Sequence, residues 1–128
     1  MKINYQILEK KLNIKFKNRD LLAQSLTHKS FDSKINNEKL EFLGDRVLGL
    51  VIAKKLLEIY PYEKEGILDK KFASLVNKNT CLEIAKNIKL ENFIQTFNPK
   101  NILIKIEDKI ISDCCEALVG AIYLEKGI

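Results

Sequence analysis

The chain has 128 residues, 46% of them hydrophobic, and a formal net charge of +5 from 22 basic and 17 acidic side chains. This length suits a single domain with a buried core. No apolar run reaches the roughly 18 residues that a membrane span needs, and the N-terminus lacks the unbroken apolar stretch of a signal peptide. The composition therefore argues against a membrane protein, favours a cytoplasmic one, and permits a nucleic-acid partner without requiring one.

Hydrophobic periodicity predicts a series of helices and no hairpin, so the expected fold class is all-α. The helices are predicted near residues 4–12, 19–27, 37–59, 68–78, 80–88 and 107–126. Short polar side chains that precede helices are candidate caps. They are Asn18 or Asp20 for the second helix, Asp69 for the fourth, and Asn79 or Thr80 for the fifth. Pro61 and Pro99 are expected near helix ends, and residues 92–106 are expected to form a loop or a short extended piece.

The segment NEKLEFLGDRVLGL, residues 37–50, carries three carboxylates three and four positions apart. At about 100° per residue, Glu38, Glu41 and Asp45 share one helix face. An apolar stripe occupies the other side and consists of Leu40, Leu43, Val47, Leu50 and Val51. Like charges at this spacing repel one another. The simplest interpretation is an acidic face in contact with solvent, and this helix alone favours it.

The last predicted helix repeats the pattern, with Asp113 and Glu116 one turn apart. Its opposite side is apolar and consists of Ile111, Cys115, Leu118 and Ile122. Gly49 and Gly120 each lie one turn beyond a carboxylate, on the same face. Glycine costs roughly 1 kcal/mol relative to alanine in a solvated helix, but it lets two backbones approach closely. The two acidic faces are therefore expected to meet.

Such a meeting would gather four carboxylates, namely Glu41, Asp45, Asp113 and Glu116. These groups repel one another unless a cation neutralises them, and hard oxygen ligands suit Mg²⁺, with Mn²⁺ as a substitute. Two such ions about 4 Å apart can activate water and stabilise a leaving oxygen in phosphodiester cleavage. The pattern therefore favours a metal-dependent hydrolase.

Histidine and cysteine chemistry is poorly supported. The single histidine, His28, argues against a di-iron bundle built from Glu-x-x-His pairs and is not placed near a nucleophile, so a structural hydrogen-bonding role is expected. The spacing of Cys81, Cys114 and Cys115 does not resemble a zinc site. These residues are expected to be small buried side chains in a reducing compartment.

The segment NEKLEFLGDRVLGL closely resembles the signature helix of the ribonuclease III catalytic domain, written N-E-R-L-E-F-L-G-D, with Lys39 in place of the usual arginine. Three further segments agree with that family in order and spacing: SLTHKSF, EGILDKKFASLVNKNTCLEIAK and SDCCEALVGAIYLEKG. The resemblance covers essentially residues 1–128. It implies one catalytic domain of the bacterial type, without the double-stranded-RNA-binding domain that often follows it.

The resemblance implies an endonuclease that cuts double-stranded RNA with Mg²⁺, leaving 5′-phosphates, 3′-hydroxyls and short 3′ overhangs. The expected role is the processing of structured precursor rRNA and mRNA, with no small-molecule cofactor and no membrane. By the same resemblance Glu41, Asp45, Asp113 and Glu116 are the metal ligands, and Asp45 and Glu116 are also catalytic residues.

The resemblance also implies a homodimer, with Glu38 and Glu65 as supporting acidic residues near the active site. In the family, the residue that corresponds to Phe42 inserts into the partner subunit. Phe42 lies on the polar side of its helix, where a large aromatic side chain usually packs against something. The sequence alone leaves packing within the subunit open as an alternative.

The sequence departs from the family pattern in two places. The chain stops at Gly127–Ile128, where the linker to an RNA-binding domain would begin, so RNA binding is expected to be weaker and more salt-sensitive. The segment 92–106 lacks the usual glycine-rich acidic loop, so RNA contacts of that loop do not carry over.

The sequence leaves two alternative functions open. They are a non-catalytic ribonuclease III-like RNA-binding scaffold and a helical interaction module with acidic faces.

Overall fold

The computed structural model describes residues 3–97 and 105–127. The helices in this part of the chain are α1 (Tyr5–Leu12), α2 (Arg19–Ser25), α3 (Glu38–Ile59), α4 (Glu65–Leu75), α5 (Lys78–Asn87) and α6 (Asp108–Lys126), with a 3₁₀ turn at Leu90–Phe93. The β-type pairing within the same residues is one isolated parallel bridge between Thr27 and Gln95. The predicted all-α class is confirmed.

Helix α6 is the central element of the fold. Its middle is buried almost all round, and α2, α3 and α5 pack against it. The thiols of Cys81, Cys114 and Cys115 are free and buried in this core, as the sequence predicts. A helix that is buried on every side can bring polar side chains into the interior, provided that they find partners there.

Asparagine side chains cap three of the helices. The Oδ1 atoms of Asn4, Asn18 and Asn77 accept hydrogen bonds from backbone N–H groups in the first turns of α1, α2 and α5. Each bond satisfies a donor that has no partner within the helix. The prediction of Asn18 as one of two candidate caps for α2 is thereby confirmed.

The predicted start of α4 near residue 68, with Asp69 as its cap, is wrong. The helix begins at Glu65, and Asp69 lies inside it. The backbone N–H groups of Ile67 and Leu68 both donate to the carbonyl oxygen of Lys64 at 3.1 Å, which starts the helix one turn earlier. The negative charge of Glu65 in the first turn suits the positive end of the helix dipole.

The prediction of Asn79 or Thr80 as the cap of α5 is also wrong, because Asn77 caps the helix. Its Oδ1 accepts from the N–H of Thr80 at 2.9 Å, while its Nδ2 donates to the carbonyl oxygen of Ser74 at 3.0 Å. One side chain therefore ends α4 and begins α5. This double cap fixes the position of Lys78, the first residue of α5.

The apolar stripe predicted for α3 is only partly buried. Leu40 and Val47 belong to the core, but Leu50 and Val51 are exposed. Pro61 follows the end of α3, as predicted. None of the described helices is long and apolar enough to cross a membrane.

The predicted loop or extended piece at 92–106 is described only at its two ends. Gln95 pairs with Thr27, and its N–H donates to the carbonyl oxygen of Leu26 at 2.8 Å. Residues 98–104, including Pro99, lie outside the described part, and so does the helix end expected at that proline. His28 accepts a 3.1 Å hydrogen bond from the N–H of Ser30, which is the structural role predicted for it.

Candidate metal centre

Helices α3 and α6 cross with their backbones in contact. A Cβ atom placed on Gly44 would lie 1.7 Å from the carbonyl oxygen of Glu116, and one placed on Gly120 would lie 2.4 Å from the carbonyl oxygen of Leu40. Neither position has room for a side chain. Gly120 therefore has the role that the sequence predicts, a close approach of two helices.

The sequence pattern predicted Gly49 as the glycine of α3 that meets α6. That prediction is wrong, because the glycine at the contact is Gly44. A Cβ atom on Gly49 would meet only the ring of Phe72 in α4, at 3.4 Å. Gly44 lies between the carboxylate face and the apolar stripe of α3, so this intermediate face is the one that meets α6. The helix crossing places the two pairs of carboxylates next to each other.

Three carboxylates converge at this crossing. One ligand oxygen each from Glu41, Asp113 and Glu116 lies within 4.8 Å of the others. The side chains of Asp113 and Glu116 are only 13% and 5% exposed, and Glu41 is half-buried. We call these three residues the carboxylate cluster.

Asp45 lies beside the carboxylate cluster and is more exposed. Its carboxylate is 3.5 Å from the guanidinium of Arg46. It is also close enough to Glu116 to contribute to the raised pKa of that carboxyl, although burial is the larger cause. The structure thus groups three of the four predicted ligands tightly, with the fourth at their edge.

Lys78 reaches the carboxylate cluster from the first turn of α5. Its Nζ is 2.8 Å from Oδ1 of Asp113 and 3.6 Å from Oε1 of Glu41, and it also forms an ion pair with Glu116. Lys109 approaches from α6, with its Nζ 2.8 Å from the other carboxylate oxygen of Asp113, Oδ2. Two ammonium groups therefore offset part of the negative charge.

The pKa directions follow from burial and from these lysines. Burial raises the pKa of Glu41, and the Asp113 carboxylate adds to the effect. Burial also acts on Asp113, but hydrogen bonds from Lys109 and Lys78 outweigh it and hold the pKa of Asp113 below its ordinary value. Burial alone would lower the pKa of Lys78, but hydrogen bonds to Asp113 and Glu116 raise it, so the ammonium stays charged.

Three other residues named by the sequence analysis lie outside the carboxylate cluster. Glu38 and Glu65 are exposed in the first turns of α3 and α4, and the group of carboxylates that the structure brings together does not include them. Phe42 is 62% exposed, and the guanidinium of Arg46 stacks over its ring at 3.9 Å from the centroid. Phe42 therefore does not pack into the core of its own subunit, which was the alternative that the sequence left open.

Asn37, Gly44 and Lys78 contribute to the site although their sequence pattern does not single them out. Asn37 is buried, and its Nδ2 donates to the carbonyl oxygen of Ser25 at 3.3 Å and to Sγ of Cys114 at 3.1 Å, which ties the start of α3 to α2 and α6. A buried amide with partners in two other elements fixes position strongly. The signature segment contains Asn37 and Gly44, but a helical wheel gives neither residue a partner.

The carboxylate cluster fits a hard divalent cation. Its donors are carboxylate oxygens, which Mg²⁺ and Mn²⁺ prefer, and they come from two helices whose spacing is fixed by backbone contact. The ammonium of Lys78 forms ion pairs with Asp113 and Glu116, so the cluster already neutralises part of its charge with a cation. Histidine and cysteine ligands, which would favour zinc or iron, do not belong to the cluster.

Fold and site together define an all-helical domain with an acidic centre at the crossing of two helices. A family model described as Ribonuclease-III-like matches residues 18–128, and the chain belongs to this ribonuclease III family. The signature segment and the last helix, which carried the resemblance, both lie within the matched residues.

The relatives agree with this assignment. The chain is 70% identical over 128 residues to the ribonuclease 3 of Pelagibacter ubique and 46% identical over 127 residues to that of Aliarcobacter butzleri. It spans only 58% and 56% of the length of these two relatives. A structure of the nuclease domain of ribonuclease III from Campylobacter jejuni superposes with a TM-score of 0.88 at 41% identity, covering 97% of this chain and 87% of that one. That structure was described for flexibility in the region involved in its dimer formation.

Proposed function

We propose that residues 1–128 form the catalytic domain of an endoribonuclease that cleaves double-stranded RNA with Mg²⁺, or with Mn²⁺ in its place. The products would carry 5′-phosphates and 3′-hydroxyls with short 3′ overhangs. The observation that carries the proposal is the carboxylate cluster, in a chain whose relatives are named ribonuclease 3. Processing of precursor rRNA and mRNA in the cytoplasm belongs to the same proposal.

Glu41, Asp113 and Glu116 are the proposed metal-holding residues, with Asp45 as the more exposed fourth ligand. A divalent ion bound there supplies a Lewis acid for phosphodiester hydrolysis. The protein contributes a preset spacing, because the ligands stand on helices whose backbones touch. Asp45 and Glu116 are the residues to which we assign the catalytic role, and the Asp45 side chain is the more exposed of the two.

RNA binding is supported by charge, and the proposed homodimer by exposed apolar surface. A net charge of +5 favours contact with phosphates, and duplex RNA is recognised mainly through its A-form shape and backbone. Phe42 and Leu50 are large apolar residues exposed on α3, as expected of a surface that a second subunit covers. A dimer would set two active sites side by side, one for each RNA strand.

The test is cleavage of a duplex RNA with and without Mg²⁺ by the wild-type chain, the Glu116→Gln variant and a control. Replacing a ligand carboxylate by an amide should reduce the cleavage rate by at least about a hundredfold, since it removes charge at the metal. Glu58→Gln is the control, because Glu58 is an exposed carboxylate of α3 that pairs only with Lys54 and Lys55 among the described residues.

RNA binding by Glu116→Gln should remain within a few-fold of wild type, since shape and phosphate contacts do not involve this buried side chain. Equal Mg²⁺-dependent cleavage by wild type and Glu116→Gln would contradict the assignment. RNA binding by the wild type without cleavage would instead support a non-catalytic scaffold.

A further inference from the structure

The ammonium of Lys78 lies where a divalent ion would bind. It forms ion pairs with all three members of the carboxylate cluster, including Oδ1 of Asp113 and Oε1 of Glu116. We propose that Lys78 is a built-in counter-ion that competes with the divalent ion for these three carboxylates, so that metal binding requires its ammonium to leave. This inference rests on the metal-dependent function proposed above.

The two cations cannot share the cluster as it stands. The Nζ of Lys78 is 2.8 Å from Oδ1 of Asp113, a hydrogen-bond distance. A Mg²⁺ ion bound to the same carboxylates would lie about 2.1 Å from their oxygens. The two positive charges would then be only a few ångströms apart, where their repulsion is strong. Occupancy by one cation therefore opposes occupancy by the other.

The ammonium can leave without any change in the helices. Lys78 is the first residue of α5, and the double cap at Asn77 fixes its backbone. Its side chain is nevertheless 55% exposed and consists of a flexible four-carbon stem. The structure thus combines a fixed attachment point with a charge that is free to swing towards solvent.

Lys109 does not have this role. Its Nζ contacts only Asp113 among the described carboxylates, through Oδ2 rather than Oδ1, and its side chain is more exposed than that of Lys78. It therefore neutralises one edge of Asp113 without entering the space between the carboxylates. Competition with a metal ion is assigned to Lys78 alone.

The test compares Lys78→Gln with Lys86→Gln in the whole chain. Lys86 belongs to the same helix, is similarly exposed at 51%, and pairs with Asp108, so its loss changes the net charge equally without touching the cluster. We expect Lys78→Gln to bind Mn²⁺ and Mg²⁺ about tenfold more tightly than Lys86→Gln in calorimetric titrations. The reason is that the metal ion no longer has to displace several half-exposed ion pairs of Lys78.

Thermal unfolding gives a second measurement. In EDTA, Lys78→Gln should melt below Lys86→Gln, because the carboxylates have lost their counter-ion. Saturating Mg²⁺ should remove the difference, since the metal ion then provides the neutralising charge. Lys78→Arg keeps a cation at this position and should retain the weaker metal affinity of the wild type.

Equal or weaker metal binding by Lys78→Gln, relative to Lys86→Gln, would overturn the inference. Such a result would leave the proposed function standing, provided that the wild type binds metal and cuts duplex RNA. A wild type that binds no divalent metal would overturn both proposals. Tighter metal binding by Lys78→Gln in a protein that never cuts RNA would overturn the proposed function only.

Discussion

At the scale of single residues, Glu41 and Glu116 differ from ordinary glutamates in how tightly they hold a proton. Burial raises the pKa of both carboxyls, and neighbouring carboxylates add to the shift. A carboxyl must be ionised to bind a metal ion well. Metal affinity should therefore be full at high pH and decline as the pH falls through these raised values, above the ordinary glutamate pKa of about 4.3.

Calorimetric titration with Mg²⁺ between about pH 5 and 8 checks this prediction. The dissociation constant should increase on acidification, and the number of protons released on binding should increase with it. Asp113 should contribute little in this range, because its lysine partners hold its pKa low. An affinity that stays constant over the whole range would contradict the assignment of Glu41 and Glu116 as ligands.

At the scale of secondary structure, the crossing of α3 and α6 leads to a prediction about stability. Gly44→Ala should lower the free energy of unfolding by about 3 kcal/mol or more, because the new Cβ would collide with the Glu116 carbonyl and force the helices apart. Urea unfolding gives the measurement. The same variant should bind Mg²⁺ more weakly, since the ligand spacing depends on the crossing.

Gly49→Ala is the matched control on the same helix. Its Cβ would make only an ordinary van der Waals contact with the ring of Phe72, and alanine favours a helix by up to about 1 kcal/mol relative to glycine. Its stability should therefore equal or exceed that of wild type. If both alanine variants unfolded at the same urea concentration, the close crossing at Gly44 would be disproved.

The helices themselves are largely predictable from sequence, because periodicity and caps are local properties. The boundaries of α4 and α5 are not, since Asn77 serves two helices at once and a linear pattern assigns it to neither. Asp113 and Glu116 are predictable as a pair one turn apart, but their distance to Glu41 depends on how α3 meets α6.

Long-range contacts account for the features that sequence reasoning missed. Lys78 is one lysine among many in the chain, and only the packing of α5 on α6 directs it into the carboxylate cluster. Glu9 of α1 is a charged residue that the helical pattern does not mark as buried. It is buried instead, because Arg19 pairs with it at 2.8 Å and the N–H of Phe16 donates to it at 2.7 Å.

At the scale of the whole molecule, the exposed ring of Phe42 leads to a prediction about dimerisation. If it anchors a second subunit as proposed, Phe42→Ala should weaken dimerisation, because the exposed ring would lose the surface that it buries in the dimer. Sedimentation at micromolar concentration should show a shift towards monomer. Ile84→Ala, which removes an exposed apolar side chain from α5, should leave the sedimentation unchanged. A Phe42→Ala protein that stays fully dimeric would refute the anchor role.

The contact of two backbones at Gly44 and Gly120 also has a consequence for rates. Helices that touch in this way move relative to each other slowly, over microseconds to milliseconds, whereas an exposed lysine side chain changes rotamer within picoseconds to nanoseconds. The ammonium of Lys78 would depart and return many times while the carboxylates keep their spacing. The rate at which a metal ion enters should then depend on how fast Mg²⁺ sheds its own water, and not on any opening of the protein.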